Sequence, residues 1–150
     1  MIALACDHTG IELKKQIMGL LDSMGLTYKD FGNNDPDRND DYPIFGYRAA
    51  KAVASGECDR GILICGTGIG IGIAASKVKG IRVCTCSDPY SAKLSKMHNN
   101  SQILTMGARV VGPELAKMIA REWLEAEFEG GRHQRRIDMI AAIENGEELE

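Results

Sequence analysis

The chain has 150 residues, 44% of them hydrophobic and 26% charged, which is a normal balance for one globular domain. Its formal net charge of -3 argues against a general nucleic-acid binder, so a phosphate ligand would need a local basic patch. No apolar run reaches the length of a membrane span, and Asp7-His8 interrupts the apolar start before it could form a signal peptide. Five cysteines, an odd number, in a chain without a leader predict a reducing compartment, and we expect a cytoplasmic protein.

The first part of the chain predicts two strands and two helices. Residues 2–6 form a buried apolar strand, and apolar residues at spacings of three and four predict a helix over 13–24 that stops at Gly25. Residues 27–31 predict the second strand, and the polar, turn-rich run 32–41 predicts a loop. Pro43 can then open a second helix, which extends to about Gly56.

The second part continues the alternation. Strands are predicted at residues 60–65, 81–85 and 102–106. Helices are predicted between and after them: one carrying 73–78, one over 89–97, one from Pro113 to the break at Gly130-Gly131, and a last one carrying 137–144. Strands that alternate with helices indicate parallel strands joined by helical crossovers. We find no internal repeat or linker, so residues 1–150 are expected to form a single domain.

In parallel sheets of this kind, ligands bind beyond the carboxyl ends of the strands. Four segments are candidates. They are Asp7-His8 after the first strand, Cys65 and the glycine loop after the third, Gly107 to Arg109 after the fifth, and the polar run 97–100 between the fourth helix and the fifth strand.

The loop Gly66-Thr67-Gly68-Ile69-Gly70 lies between a strand and a helix. Alternating glycines allow positive φ angles and a close approach of the backbone to a ligand, and successive N–H groups at a helix start can bind an anion. Tight packing of the helix on the sheet is the structural alternative. The spacing is neither that of a P-loop nor Gly-x-Gly-x-x-Gly.

Cys65 stands between this loop and the strand before it. A cysteine directly before a helix N terminus meets the helix's partial positive charge and can act as a general base or a nucleophile, although most free cysteines are buried core residues. For Cys6, and for the pair Cys84 and Cys86, packing in the core is the favoured interpretation. No Cys-x-x-Cys or paired-histidine motif is present, so we expect no metal.

Arg132 and Arg136 are four residues apart, so a helix would place both on one face. Two guanidinium groups on one face suit phosphate binding, whereas a solvated basic face is the alternative. Of the three histidines, His8 follows Asp7 at a strand end, His98 lies in a polar segment, and His133 between arginines is expected to be exposed.

Several segments in fixed order resemble a known family over almost the whole chain. They are Cys-Asp-His at 6–8, Asp-Tyr-Pro at 41–43, the run from Gly61 to Gly70, Ser-Asp-Pro-Tyr-Ser-Ala at 87–92, His98-Asn99, Gly-Ala-Arg-Val-Val-Gly at 107–112 and Glu-Gly-Gly-Arg-His at 129–133. The chain resembles ribose-5-phosphate isomerase of type B, within the wider group that includes galactose- and allose-6-phosphate isomerases.

The resemblance implies a Rossmann-like three-layer α/β/α sandwich around a five-stranded parallel sheet. It also implies an aldose–ketose isomerase of carbohydrate metabolism, in the pentose phosphate pathway, that interconverts D-ribose 5-phosphate and D-ribulose 5-phosphate through a cis-enediolate. It implies no cofactor and no metal. Its partners would be a small sugar phosphate and a second copy of the chain, in a homodimer with shared active sites or a dimer of dimers, without nucleic acid or membrane.

The resemblance also assigns roles to single residues. Cys65 matches the base that moves the proton between sugar carbons 1 and 2, and His98 matches the residue that opens the furanose ring. Thr67 and the amides of Gly66, Gly68, Ile69 and Gly70 match the loop that holds the enediolate. The substrate-contacting positions are Asp7, His8, Tyr42 and Asn99, with Arg109, Arg132 and Arg136 chiefly on the phosphate. Another branch of the family has a glutamate base after the loop; here that position is Ile71.

Three alternatives stay open on the sequence alone. The substrate could be a six-carbon sugar phosphate, or an unphosphorylated sugar. The chain could be a non-catalytic phosphosugar- or nucleotide-binding module that uses the loop and the arginines but neither the thiol nor His98. A thiol redox protein built on Cys65 is a third alternative, but no nearby resolving cysteine is evident.

Overall fold

The computed structural model describes residues 1–150, which form one parallel sheet covered by helices on both faces. The elements in chain order are β1 (Ile2–Cys6), a short 3₁₀ turn (His8–Gly10), α1 (Ile11–Ser23), β2 (Tyr28–Asp30), α2 (Tyr42–Ala54), β3 (Arg60–Cys65), α3 (Ile69–Ser76), β4 (Val83–Thr85), α4 (Pro89–Asn99), β5 (Ile103–Gly107), α5 (Pro113–Glu125) and α6 (Arg132–Glu144). The predicted α/β class with a five-stranded parallel sheet is confirmed.

The strand order is β2-β1-β3-β5-β4, and every pairing is parallel. From β1 the chain moves to one side to form β2 and then returns to the other side of β1 to form β3. The strand order therefore reverses between β1 and β3, which is where a parallel sheet opens a crevice at its carboxyl edge. Asp7, which follows β1, and Cys65, the last residue of β3, flank that crevice.

Two hydrophobic clusters fill the space on the two faces of the sheet. Along β1, Ile2 and Leu4 belong to the cluster under α1 and α5, and the intervening Ala3 belongs to the cluster under α2 and α3. This alternation follows from the two-residue period of a strand, whose successive side chains point to opposite faces. The full burial of both faces explains why Ile62, Leu63 and Ile64 are consecutive apolar residues.

Several element boundaries differ from the sequence prediction. The fourth strand contains only Val83–Thr85, because Ile81 is still in the turn after α3, where its N–H donates to Val78. The fifth helix ends at Glu125, before Gly130-Gly131, and the chain after it runs back to α4, where the Glu129 N–H donates to Met97. No helix combines the length and the apolar character that crossing a membrane requires.

A buried ammonium group anchors the segment after β2. Lys14 on α1 is 1% exposed, and its Nζ donates to Asp30 at 2.9 Å, to the carbonyl of Asn33 at 2.8 Å and to the side chain of Asn34 at 2.8 Å. Three oxygen partners, one of them a carboxylate, compensate the cost of removing this charge from water. Lys14 therefore fixes the start of the loop that leads from β2 to Tyr42.

Candidate active site

Asp7 and His8 lie at the carboxyl end of β1, beside the end of β3. The Asp7 N–H donates to Ile64 at 3.2 Å, which ties the two strand ends together. The Asp7 carboxylate accepts hydrogen bonds from the N–H of Thr9 at 2.9 Å and from its hydroxyl at 2.6 Å. The Nδ1 atom of His8 is buried and has no protein partner. A ligand hydroxyl or carbonyl at this edge would supply the missing hydrogen bond.

Cys65 ends β3 and is 5% exposed, so its sulfur is buried at the base of the glycine loop. The Gly68 N–H donates to Cys65 Sγ at 3.1 Å. Gly68 has φ +79°, and a Cβ at this residue would lie 2.7 Å from the backbone of Met106. Glycine is therefore required here twice, once for the left-handed backbone and once for the close approach of the loop to β5.

The residues that follow β5 hold the loop in place through backbone hydrogen bonds. The Ala108 N–H donates to Cys65 at 2.8 Å, and the Arg109 N–H donates to Gly66 at 3.0 Å. The aliphatic part and guanidinium of Arg109 lie against the open face of Gly66, 3.7 Å from where a Cβ would stand. These bonds fix the loop and leave Thr67 exposed at its tip.

The loop continues directly into α3. Ile69 begins the helix, and its N–H donates to the hydroxyl of Thr67 at 3.3 Å. Gly70 and Ile71 lie in the first turn, where N–H groups have no earlier carbonyl of the helix to donate to, and where they can bind an anion. Ile71 is fully buried. It stands at the position where another branch of the resembled family has a glutamate base, so no carboxyl group is present there.

Tyr42 reaches the loop from the start of α2. A Cβ at Gly70 would stand 2.6 Å from the Tyr42 ring, so the ring lies directly on the backbone of Gly70. The ring is 42% exposed and still faces solvent on its other side. The carboxyl edge thus brings together Asp7, His8, Tyr42, Cys65, the glycine loop and Arg109.

His98 and Asn99 lie elsewhere. The sequence prediction placed them in a polar segment after a helix and among the candidates at the carboxyl edge; both placements are wrong. They form the last turn of α4, and Arg82, just before β4, donates to the carbonyl of Asn99 at 2.9 Å. Because α4 runs antiparallel to the strands, its C-terminal end lies at the amino edge of the sheet.

His133 packs against His98 at this amino edge. The two rings are stacked, with centroids 4.1 Å apart and planes within 7° of each other. His133 is 4% exposed, so the expectation of an exposed residue is wrong. Burial lowers the pKa of His133, and positive charge on His98 and Arg132 adds to this effect, while the carboxylate of Glu129 opposes it.

Arg132 and Arg136 belong to α6 and are exposed, in the same helix as His133. Arg132 directly precedes His133 in α6, and Arg136 follows it three residues later, about one helical turn along. The last helix was predicted to carry residues 137–144, but α6 begins at Arg132 and therefore carries both arginines. The second group of predicted site residues is therefore His98, Asn99, Arg132 and Arg136, all around the end of α4 and the start of α6.

The strands separate these two groups. A parallel strand rises about 3.3 Å per residue, so β5 alone places the two edges on the order of 16 Å apart. The largest concave surface of the chain, about 730 Å³ between α1 and α5, is lined by residues such as Lys15 and Arg121 and contains neither group. One copy of the chain therefore does not bring Cys65 and His98 to the same ligand.

Sequence reasoning missed Glu129 as a neighbour of His98. Its carboxylate oxygens lie 3.8 Å from Nε2 of His98 and 3.6 Å from Nε2 of His133. The spacing of four residues between Glu129 and His133 is not a helical signal, because Glu129 precedes α6, which begins at Arg132. His98 lies 31 residues before Glu129 in the sequence. The contact between them depends on the packing of α6 on α4 and has no local sequence signature.

The fold and the loop after β3 define the chain as an α/β protein with a crevice at the carboxyl edge of a parallel sheet. A family model described as Ribose/Galactose Isomerase matches residues 2–140, and the chain belongs to this family. The resemblance inferred from the sequence is thereby confirmed.

Individual relatives match the sequence of this chain over nearly its full length. The chain is 54% identical over 143 residues to ribose-5-phosphate isomerase B of Escherichia coli strain K12, covering 95% of each chain. It is 45% identical over 146 residues to D-erythrulose-4-phosphate isomerase of Pectobacterium atrosepticum, covering 97% of this chain and 96% of the relative.

Solved structures show the same fold. Ribose-5-phosphate isomerase B of Clostridium thermocellum superposes with a TM-score of 0.94 at 50% identity, covering 97% of both chains. The enzyme of Mycoplasma genitalium, solved with bound ribulose 5-phosphate, superposes with a TM-score of 0.91 at 43% identity, covering 96% of this chain and 95% of that one.

Proposed function

We propose that the chain is an aldose–ketose isomerase that interconverts D-ribose 5-phosphate and D-ribulose 5-phosphate, with each active site built from two copies of the chain. The observation that carries the proposal is the buried sulfur of Cys65 under a glycine loop, with Gly68 donating to it. The names of the relatives support the sugar-phosphate substrate. We further propose that the protein works in the cytoplasm, in the pentose phosphate pathway.

In this proposal Cys65 is the base of the proton transfer. Its thiolate takes the proton from carbon 2 of the open-chain aldose, and the electron pair moves to the carbonyl to give a cis-enediolate. The same sulfur returns the proton to carbon 1, while the hydroxyl proton moves between the two oxygens. A positioned acid–base group typically contributes about 10²–10⁴-fold to such a step.

The loop stabilises the charge that develops on the enediolate oxygens. The donors that the loop would offer are the N–H groups of Gly70 and Ile71 in the first turn of α3 and the exposed hydroxyl of Thr67. Preorganised donors of this kind typically contribute about 10²–10³-fold each. Asp7, His8 and Tyr42 stand around the same crevice and would hold the sugar hydroxyls, and the unpartnered Nδ1 of His8 supports this role.

Ring opening and phosphate binding require the residues of the opposite edge. His98 would move the proton between the ring oxygen and the carbon-1 hydroxyl, with Asn99 beside it and Arg132 and Arg136 on the phosphate. Because these residues lie at the other edge of the sheet from Cys65, we propose that His98 of the partner subunit completes the site of each copy. A two-fold homodimer makes two such sites.

Mixing two inactive variants tests this arrangement. Cys65→Ala and His98→Asn are each expected to lose turnover of ribose 5-phosphate. After co-expression in equal amounts, half of the dimers are mixed and each holds one complete site, so about a quarter of the wild-type activity should return. No recovery of activity in a verified mixed dimer would reject the two-chain site.

The mixing experiment has a matched control, in which no recovery of activity is expected. Mixing Cys65→Ala with Thr67→Ala, two residues of the same edge, leaves every site with one defect, so no comparable recovery is expected. Full turnover by either single variant would instead reject the catalytic role of the residue changed.

The preferred sugar is the open part of the proposal. The relative named for D-erythrulose 4-phosphate makes a four-carbon substrate a specific alternative, beside allose and galactose 6-phosphates. Values of kcat/KM across the four sugar phosphates would rank them, and the highest value for ribose 5-phosphate is expected. Tight binding without turnover of any of them would favour a non-catalytic sugar-phosphate sensor.

A further inference from the structure

Three side chains at the amino edge bring metal-binding atoms close to one another. One ring nitrogen of His98, one ring nitrogen of His133 and a carboxylate oxygen of Glu129 all lie within 4.8 Å of one another. The carboxylate is 3.6 Å from one ring nitrogen and 3.8 Å from the other. The proposed isomerase mechanism uses His98 but gives no role to Glu129 or His133.

His133 Nε2 is a buried polar atom without a hydrogen-bond partner. Its side chain is 5% exposed, so no bulk water reaches it freely. Buried ring nitrogens are almost always paired, with protein, water or an ion. The orphaned atom faces Glu129 and His98, so whatever satisfies it must enter this cluster.

The charges around the cluster set how strongly it can hold a cation. Glu129 is the negative group of the cluster, and Arg132 and Arg136 of α6 are positive groups close to it in the chain. The two arginines also repel a cation, which Glu129 offsets only in part, so binding is expected to be micromolar and not tighter.

We propose that His98, Glu129 and His133 form a binding site for Zn²⁺. Two imidazoles and one carboxylate are a ligand set that zinc favours, with a fourth position left for water or a hydroxyl. Bonds of 2.0–2.1 Å in a tetrahedron place ligand atoms about 3.3 Å apart, so the carboxylate distances need to close by only about 0.5 Å.

The rings must also move, because parallel stacked rings do not aim their lone pairs at one point. His98 and Glu129 are 35% and 40% exposed and have room to turn towards the fixed His133. Zinc would then hold His98 away from a sugar. The predicted consequence, which rests on the proposed function, is inhibition of the isomerase by zinc and its reversal by a chelator.

Calorimetric titration of the untagged, metal-free protein with ZnCl₂ tests binding without reference to activity. One zinc ion per chain is expected, and His133→Gln should weaken binding at least about tenfold, since a ligand is lost. Glu129→Gln should weaken it as well, and this exposed side chain keeps the test decisive if His133→Gln fails to fold. A folded wild-type protein that binds no zinc would overturn the proposal.

The free cysteines are the rival ligands, so the matched control is the double variant Cys84→Ser and Cys86→Ser, which should bind zinc like the wild type. Substitution with Co²⁺ should give a spectrum without a thiolate charge-transfer band. Zinc binding that survives His133→Gln and Glu129→Gln but disappears in a cysteine variant would overturn the assignment. Inhibition is then measured against each variant's own metal-free rate, with His133→Gln expected to resist zinc.

Discussion

The backbone N–H of Gly68 donates to the sulfur of Cys65 at 3.1 Å. The two residues belong to a strand end and to the turn before a helix, and the bond between them fixes the sulfur beneath the glycine loop. This contact exists because Gly68 adopts a left-handed conformation that turns its N–H back towards β3. The chemistry proposed for Cys65 and the shape of the loop therefore depend on each other.

Cys65→Ala should abolish proton exchange at carbon 2 of the sugar. With the base removed, we expect exchange to fall by about 10²–10⁴-fold, followed by NMR of ribose 5-phosphate in deuterated water. Cys58→Ala is a matched control, because Cys58 is a buried free cysteine of the same hydrophobic cluster. It should exchange at the wild-type rate. Near-wild-type exchange in Cys65→Ala would remove Cys65 from the base role.

Gly68→Ala should destabilise the fold as well as the site. Its new methyl group would meet the backbone of Met106 at 2.7 Å, and its φ of +79° disfavours any side chain. We expect the free energy of unfolding to fall by about 1–3 kcal/mol, measured by urea denaturation. Gly19→Ala is the control, since no atom lies within 4 Å of its Cβ position inside α1.

The control should change in the opposite direction. Replacing a glycine inside a helix by alanine stabilises by about 0.5–1 kcal/mol. If Gly68→Ala were as stable as Gly19→Ala, the close packing of the loop on β5 would be wrong.

The buried His133 should make stability depend on pH. Its pKa is lowered in the folded chain, chiefly by burial, so the unfolded chain takes up a proton at higher pH than the folded one. The free energy of unfolding should therefore be fully present above about pH 6.5 and should decrease as the pH falls below it. Denaturation curves between pH 5 and about 8 measure this dependence.

His133→Gln removes this titrating group and should flatten that part of the pH dependence. His8→Gln, at the other edge of the sheet, is the comparison, because the stacked histidine pair consists of His98 and His133 and does not include His8. A pH dependence that is identical in wild type and His133→Gln would contradict the prediction.

Arg136→Ala should weaken catalysis of phosphorylated sugars. Loss of a charged hydrogen bond to phosphate costs about 1.5–3 kcal/mol, which lowers kcat/KM by roughly 10- to 150-fold. Arg135→Ala is the matched control, because Arg135 is the adjacent exposed arginine of α6. Equal kcat/KM values for the two variants would reject phosphate binding by Arg136.

Much of the fold was readable from the sequence because the core strands are continuous apolar runs. Residues 60–65 were predicted with the observed bounds of β3, and the glycine loop follows at the expected place. β4 was predicted two residues too long, because Ile81 is apolar but lies in a turn. Apolar character alone does not distinguish a paired strand residue from a buried turn residue.

The amino-edge cluster was less predictable. The sequence near His98 gives no sign that His133 stacks on it, since the stacking depends on how α6 packs against α4. The same applies to Lys14, whose burial depends on Asp30 and Asn33 meeting it from β2 and the loop beyond. Local pattern indicates which residue types are present, but tertiary packing decides which of them meet.

The separation of Cys65 and His98 by the length of a strand determines when a newly made chain becomes active. Under the two-copy site proposed above, a newly made monomer holds a thiol under its loop but cannot open a sugar ring for it. Catalysis then begins only when two finished chains meet, and it disappears when they part. Under this proposal only chains that fold well enough to pair become active, because a misfolded chain that cannot pair never acquires a complete site.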